Sequence, residues 1–161
     1  MSQTNDQRIL IPVSRAEDGS VWVTALIANT LKPKELHVNA RFLVDTGAGM
    51  TVIPQKTAEK LMLKPMGKMM GTLAAGKTVT FPIYYVYLNV AGEGLVTLVA
   101  GSPREDEYLL GADVLEVLEF QVDVARKRLL KPVKSLKVQR LVWRGKTPFA
   151  GHNTPSPNAQ S

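Results

Sequence analysis

An aspartate set between an apolar run and a cluster of small residues can act as an acid–base group. Residues 42–54 contain that arrangement: Phe42-Leu43-Val44-Asp45-Thr46-Gly47-Ala48-Gly49-Met50-Thr51-Val52-Ile53-Pro54. The apolar residues before Asp45 put its carboxylate at the end of a strand, beside low-dielectric surroundings that act on the protonation of any carboxyl group. Gly47, Ala48 and Gly49 leave room for a second backbone segment to approach, and the Thr46 hydroxyl can hydrogen-bond across such a contact. These residues alone leave a plainer alternative open, an Asx-turn that caps a tight loop.

Other constellations carry less. Gly71-Thr-Leu-Ala-Ala-Gly76-Lys77-Thr78 matches the phosphate-loop pattern G-x-x-x-x-G-K-[ST] letter for letter. A phosphate loop needs a helix to begin at the Lys-Thr pair. Here Val79-Thr80-Phe81-Pro82-Ile83-Tyr84-Tyr85 follows, and β-branched and aromatic residues around a proline make a poor helix. The stretch reads instead as a β-hairpin with Ala75-Gly76-Lys77 at its tip. Asp113 is expected at the start of a helix, where a carboxylate suits the dipole. Asp123, between Val122 and Val124, is expected to face solvent from a strand. His37 and His152 are isolated and the chain has no cysteine, so neither a metal site nor a cofactor is expected.

The stretch around Asp45 resembles the active-site signature of retropepsin-like aspartic proteases, and a second family signature follows in order: Tyr108-Leu109-Leu110-Gly111-Ala112-Asp113-Val114-Leu115. The run from Phe120 to Leu130 is similar to the closing strands of bacterial members. Gly71 to Tyr87 occupies the place of the hairpin flap that covers the substrate. The resemblance spans residues 8–133. It implies Asp45 as the catalytic residue and Thr46, Gly47 and Ala48 as its loop. It also implies Ala74, Ala75, Gly76 and Lys77 as the flap tip on the substrate, and Leu110 and Gly111 as support from the second signature. In this family two aspartates share one proton and activate a water, with no metal or covalent intermediate. Only one Asp-Thr-Gly occurs here, so the second carboxylate would come from Asp45 of another copy. The resemblance therefore implies an aspartic endopeptidase acting on extended polypeptides as a two-fold homodimer, with an acidic optimum. The sequence departs from viral members at Gly49 and Ala112, where an acid and an arginine brace the loop by an ion pair; both are missing together. The alternative is a catalytically idle dimerisation or binding module of the same fold, with a basic tail that contacts nucleic acid or an acidic partner.

The elements that must position these residues are legible as mostly β. Ile9–Val13, Val21–Ala28 and the alternating stretch Leu36, Val38, Ala40, Phe42 read as strands, as do 78–90, 95–100, 121–124 and 128–133. Pro54 to Met62 and Ala112 to Phe120 read as two short helices. Met50, Met62, Met66, Met69 and Met70 are expected to fill core gaps, with a lining for apolar substrate side chains as the alternative. The chain has 161 residues, enough for one well-filled domain. Its 45% hydrophobic and 21% charged residues fit a soluble fold. No run reaches the length of a membrane span and the start has no signal-peptide order, so an intracellular, cytoplasmic protein is expected. The net charge of +6 is uneven: residues 121–161 hold nine Lys and Arg against one acid. The expected organisation is a disordered segment 1–7, a retropepsin-like domain 8–133 and a basic, largely flexible tail 134–161.

Overall fold

The computed structural model describes residues 7–72 and 75–133. Eleven strands and two short helices follow in order: β1 (Arg8–Ile11), β2 (Ser14–Arg15), β3 (Val21–Ala28), β4 (His37–Val44), β5 (Val52–Pro54), α1 (Gln55–Lys60), β6 (Gly67–Thr72), β7 (Thr78–Val90), β8 (Glu93–Ser102), β9 (Leu109–Leu110), α2 (Ala112–Val117), β10 (Gln121–Asp123) and β11 (Arg128–Pro132). Eight strands form one sheet in the order β2-β3-β4-β9-β5-β8-β7-β6, and β3 also pairs with β7, which closes the sheet on itself. The other three form a small sheet, β1-β11-β10, from the two ends of the described chain.

Period-two patterning selects these strands. In β3, Val21, Val23, Ala25 and Ile27 are buried, and in β4 Phe42 is fully enclosed at the inward end of an alternating run. Ile53, Leu88, Val99, Leu110, Val114 and Leu129 complete the centre of the core from six other elements. Phe42 meets Tyr108 edge-on at 5.3 Å between ring centroids, and the Tyr108 hydroxyl bonds that of Thr57 on α1. The expected hairpin is present: β6 pairs antiparallel with β7 from Gly67↔Ile83 to Thr72↔Thr78, and Gly76 takes φ +78° in the turn. Lys77 and Thr78 thus lie at a turn and a strand start, with no helix for a phosphate to meet.

Several expectations need correction. The second helix ends at Val117, with Glu119 at φ 56°, so the chain turns away before Phe120. The methionines do not fill the core: Met62, Met66 and Met70 are mostly exposed and Met69 partly so, while Met50 is half-buried. Four of them lie after α1 and along β6, a strand with no buried residue. Asp123 does not face solvent. Its side chain is 14% exposed, and its Oδ2 accepts from Arg128 Nη2 at 2.7 Å, while Oδ1 accepts the Arg126 amide at 3.0 Å. The tail 134–161, Ala74 and residues 1–6 lie outside the described residues.

The Asp123 cluster gives a pH prediction. The Arg128 guanidinium, and after it the Arg126 amide, hold the Asp123 carboxyl below the usual carboxylate range. A group lowered on folding stabilises fully above its unfolded value and loses that contribution as pH falls through its folded value. Asp18, lowered by the Ser20 amide, the Ser20 hydroxyl and then the Lys127 charge, acts in the same direction. The unfolding midpoint should therefore fall as pH drops below about 4. Asp123→Asn should flatten that fall, as measured by thermal melts across the acid range.

Candidate active site

Asp45 stands where three strand ends cross. β4 and β5 are joined by residues 45–51, and β9 lies between them in the sheet. β9 runs parallel to β4, with Leu43↔Leu109 and Val44↔Leu110. It runs antiparallel to β5 at Val52↔Leu109. The pairing continues one step past β4: Leu43 N donates to Tyr108 O at 2.9 Å, and Asp45 N donates to Leu110 O at 3.0 Å. The backbone of Asp45 is therefore fixed by the second signature.

The loop then closes on itself. Gly47 N donates to Asp45 Oδ1 at 2.9 Å, and Ala48 N donates to Asp45 O at 3.2 Å. This is the Asx-turn of the plainer reading, and it orients the carboxylate that the other reading needs. Asp45 and Ala48 are half-buried, while Thr46 and Gly47 are exposed. The Thr46 hydroxyl is thus on the outer rim of the loop, available to a surface beyond this chain.

Gly111 is the point of closest approach. A Cβ placed there would lie 2.7 Å from Met50 C, 2.8 Å from Ala48 O and 2.9 Å from Met50 O, all backbone atoms. Ala112 N donates to Ala48 O at 2.8 Å, and Gly111 N donates to Thr51 Oγ1 at 3.0 Å. Leu110, just before, is fully buried.

The brace expected from an acid and an arginine has another form here. Thr51 is fully buried. Its Oγ1 donates to Asp113 Oδ1 at 2.9 Å, and its amide donates to Asp113 Oδ2 at 3.2 Å. Asp113 lies in the first turn of α2, as expected of a helix-start carboxylate. It also ties the end of the Asp45 loop to the helix after Gly111. The sequence signal was the hydroxyl at Thr51, a polar residue inside an apolar run. Gly49 is uninvolved, with nothing within 4 Å of a Cβ built there. Thr51→Val should leave the Gly111 amide and Asp113 Oδ1 without their partner, at a cost of about 2–4 kcal/mol. Urea unfolding measures it, and Thr51→Ser should recover most of the loss.

The hairpin β6–β7 reaches the same region. A cavity of about 770 Å³ is lined by Val52, Ala100, Val79, Phe81, Pro103 and Glu107 among others. Val52 pairs with Leu109 beside the Asp45 loop, and Val79 and Phe81 belong to β7. The walls are largely apolar, as expected of a pocket for apolar side chains. Ala75, Gly76 and Lys77 are exposed in the hairpin turn. Among the described residues no three His, Asp or Glu side chains converge as metal ligands, and no helix is long and apolar enough to cross a membrane.

Comparison with known proteins bears on the family and the fold. Residues 36–117 match the family described as "gag-polyprotein putative aspartyl protease". The fold is similar to the crystal structure of a retropepsin-like aspartic protease from Rickettsia conorii, with TM-score 0.56 and 20% identity over 84% of this chain and 99% of that one. Similarity to the solution structure of the simian foamy virus (mac) protease has TM-score 0.45 and 23% identity, covering 61% of this chain and 94% of that one. For the EIAV protease complexed with the inhibitor HBY-793 the values are 0.45 and 20%, over 74% and 95%. No curated protein matches the chain.

Proposed function

The chain belongs to the retropepsin-like family of aspartic proteases, and on that premise we propose that it is an aspartic endopeptidase whose active site forms from Asp45 of two copies. The domain responsible is residues 8–133. The observation that carries the reading is the hold on Asp45: its amide is bonded to Leu110 O and its Oδ1 accepts the Gly47 amide, so the carboxylate is oriented before any substrate arrives.

Two such carboxylates brought together share one proton, because like charges at close range cannot both ionise cheaply. The ionised one takes a proton from a water, whose oxygen attacks the peptide carbonyl carbon. The protonated one donates to the oxygen as charge builds there. Collapse of the tetrahedral adduct breaks the C–N bond, and the leaving nitrogen takes a proton from the pair. Thr46 and Gly47 hold the loop. The substrate is an extended polypeptide held by strand-like hydrogen bonds under the hairpin whose turn holds Ala75, Gly76 and Lys77, with apolar side chains in the cavity beside Val52 and Phe81.

The test is cleavage of an unfolded protein mixture across about pH 4 to 7, with sedimentation run at the same concentrations. Cutting that rises toward acid, scales with the dimer fraction and is absent from Asp45→Asn supports the reading. A dimer that does not cut, or cutting that survives in Asp45→Asn, overturns it.

A further inference from the structure

We infer that the edge of β6 left open by the described strands captures an extended peptide segment in which apolar and acidic residues alternate on one face. This surface lies apart from the Asp45 loop. It would hold a polypeptide beside the hairpin whether or not that polypeptide is cut.

The topology puts β6 at the end of the large sheet. Among the described strands it pairs only with β7, from Gly67↔Ile83 to Thr72↔Thr78. The Met66 amide continues that ladder by donating to Ile83 O at 2.7 Å. The opposite end of the sheet is β2, two residues long, whereas β6 offers six. An edge of that length presents a row of N–H and C=O groups to an incoming strand.

Strand alternation sorts the side chains, since successive residues point to opposite faces. Met69 and Gly71 stand opposite Phe81 and Val79, which line the cavity of about 770 Å³, and a Cβ on Gly71 would meet the Phe81 ring at 2.8 Å. Met66, Lys68 and Met70 fall on the other face, and no residue of β6 lines that cavity. Met66 and Met70 are 63% and 73% exposed, against 36% for Met69. The outer face therefore reads Met-Lys-Met at every second residue. Methionine adapts its shape to differing apolar partners.

Charge decides what can lie against this face. From residue 60 to residue 92 the chain has four lysines, Lys60, Lys64, Lys68 and Lys77, and no acid or arginine. All four are exposed, and none is in an ion pair among the described residues. Opposite charges facing each other across paired strands are favourable, and like charges are unfavourable. A second copy pairing edge to edge would bring two lysine-bearing strands together. The segment 134–161 holds five Lys and Arg and no acid, so its charge opposes it in the same way. Residues 1–6, Met-Ser-Gln-Thr-Asn-Asp, have one apolar residue and no alternation. Lysines attract an anionic lipid surface as well, but lipid leaves the polar groups of a strand edge without partners. The complement is another strand, with a carboxylate against Lys68 and apolar residues against Met66 and Met70. Main-chain hydrogen bonds supply the hold and the alternating side chains supply the selection.

The test uses the full chain carrying Asp45→Asn. Binding alone is read, so the result stands apart from the two-copy reading. The probe is a fluorescein-labelled peptide, Ser-Thr-Val-Thr-Glu-Thr-Val-Thr-Ser, followed by fluorescence anisotropy. It should bind with a submillimolar Kd, and adding Lys68→Glu should weaken binding by about fivefold or more. A peptide with Lys in place of Glu should show the reverse preference, binding the Lys68→Glu protein more tightly. Met70→Ser should weaken the first peptide by about threefold. Replacing the two Thr beside Glu with Pro removes strand amides and should abolish binding. Thermal midpoints should not move in either protein variant, since both side chains are exposed. No binding, binding that Lys68→Glu leaves undiminished, or binding that the proline peptide retains overturns the inference. Lys68-dependent binding to phosphatidylserine vesicles without binding of the peptide also overturns it, and makes the face a membrane contact instead.

Discussion

Asp45→Asn is expected to lower cleavage by at least about 10⁴-fold while leaving the fold intact. One positioned acid–base group contributes roughly 10²–10⁴-fold. In a two-fold pair the substitution removes both carboxylates at once, so no group remains to take the water's proton. The fold should tolerate the change. The Asp45 carboxylate accepts the Gly47 amide at 2.9 Å, and an asparagine oxygen at the same place can accept that bond. The unfolding free energy should move by about 0.5 kcal/mol or less, as for a substitution away from the core. Mass spectrometry of the fragments, with urea unfolding of both proteins, checks the two halves together. A variant that loses activity and several kcal/mol of stability would show a structural role for the carboxylate instead.

Gly111→Ala should be the most damaging small change in the molecule. The added carbon would sit under 3.0 Å from three backbone atoms of Met50 and Ala48, none of which is the free end of a side chain. Relief requires separating the segment after β9 from residues 48–50. That would strain the Ala112 N to Ala48 O and Gly111 N to Thr51 Oγ1 bonds, both near 3 Å. Overpacking costs about 1–3 kcal/mol where side chains can shift, and more where backbone must. The expected loss is about 3 kcal/mol or more, roughly a 10 °C fall in the melting temperature for a domain of this size, together with loss of cleavage. Gly49→Ala is the matched control in the same loop. Nothing lies within 4 Å of its Cβ, so its midpoint should stay within about 0.5 kcal/mol of wild type. Calorimetry of the two variants side by side decides whether close approach at position 111 is what holds the loop.

Local pattern carried much of the architecture. The alternation in Leu36 to Phe42 identified β4 because one face of that strand is buried and the other is not. The β-branched and aromatic residues after Lys77 overrode a letter-perfect phosphate-loop motif because they cannot start a helix, and a hairpin stands there. Of the candidate site, the two short motifs around Asp45 and Gly111 were legible, and at Gly111 the reason is steric, since a Cβ there has no room. What was missed depends on partners remote in sequence. Thr51 and Asp113 are 62 positions apart, and no local pattern says that they meet. Asp123 looked solvent-facing because its neighbours are apolar, but Arg128 reaches back across the β10–β11 turn to cover it. The methionines near the hairpin looked like core because of their composition, yet β6 is a strand whose residues remain outside.

The pairing of β1 with β11 also bears on when the molecule becomes competent during synthesis. β1 cannot be completed until residues 128–132 exist, more than a hundred positions later. The Asp45 loop likewise waits for β9 and Gly111, since the bonds to Leu110 O and from Ala112 N are what fix it. Such non-local contacts are the last to form and slow to find. A growing chain would therefore carry Asp45 in an unorganised loop until residues 110–112 are made. On the proposed two-copy reading, these pairings and then the encounter with a second folded chain would come before any peptide bond is at risk, which spares the nascent polypeptides around it.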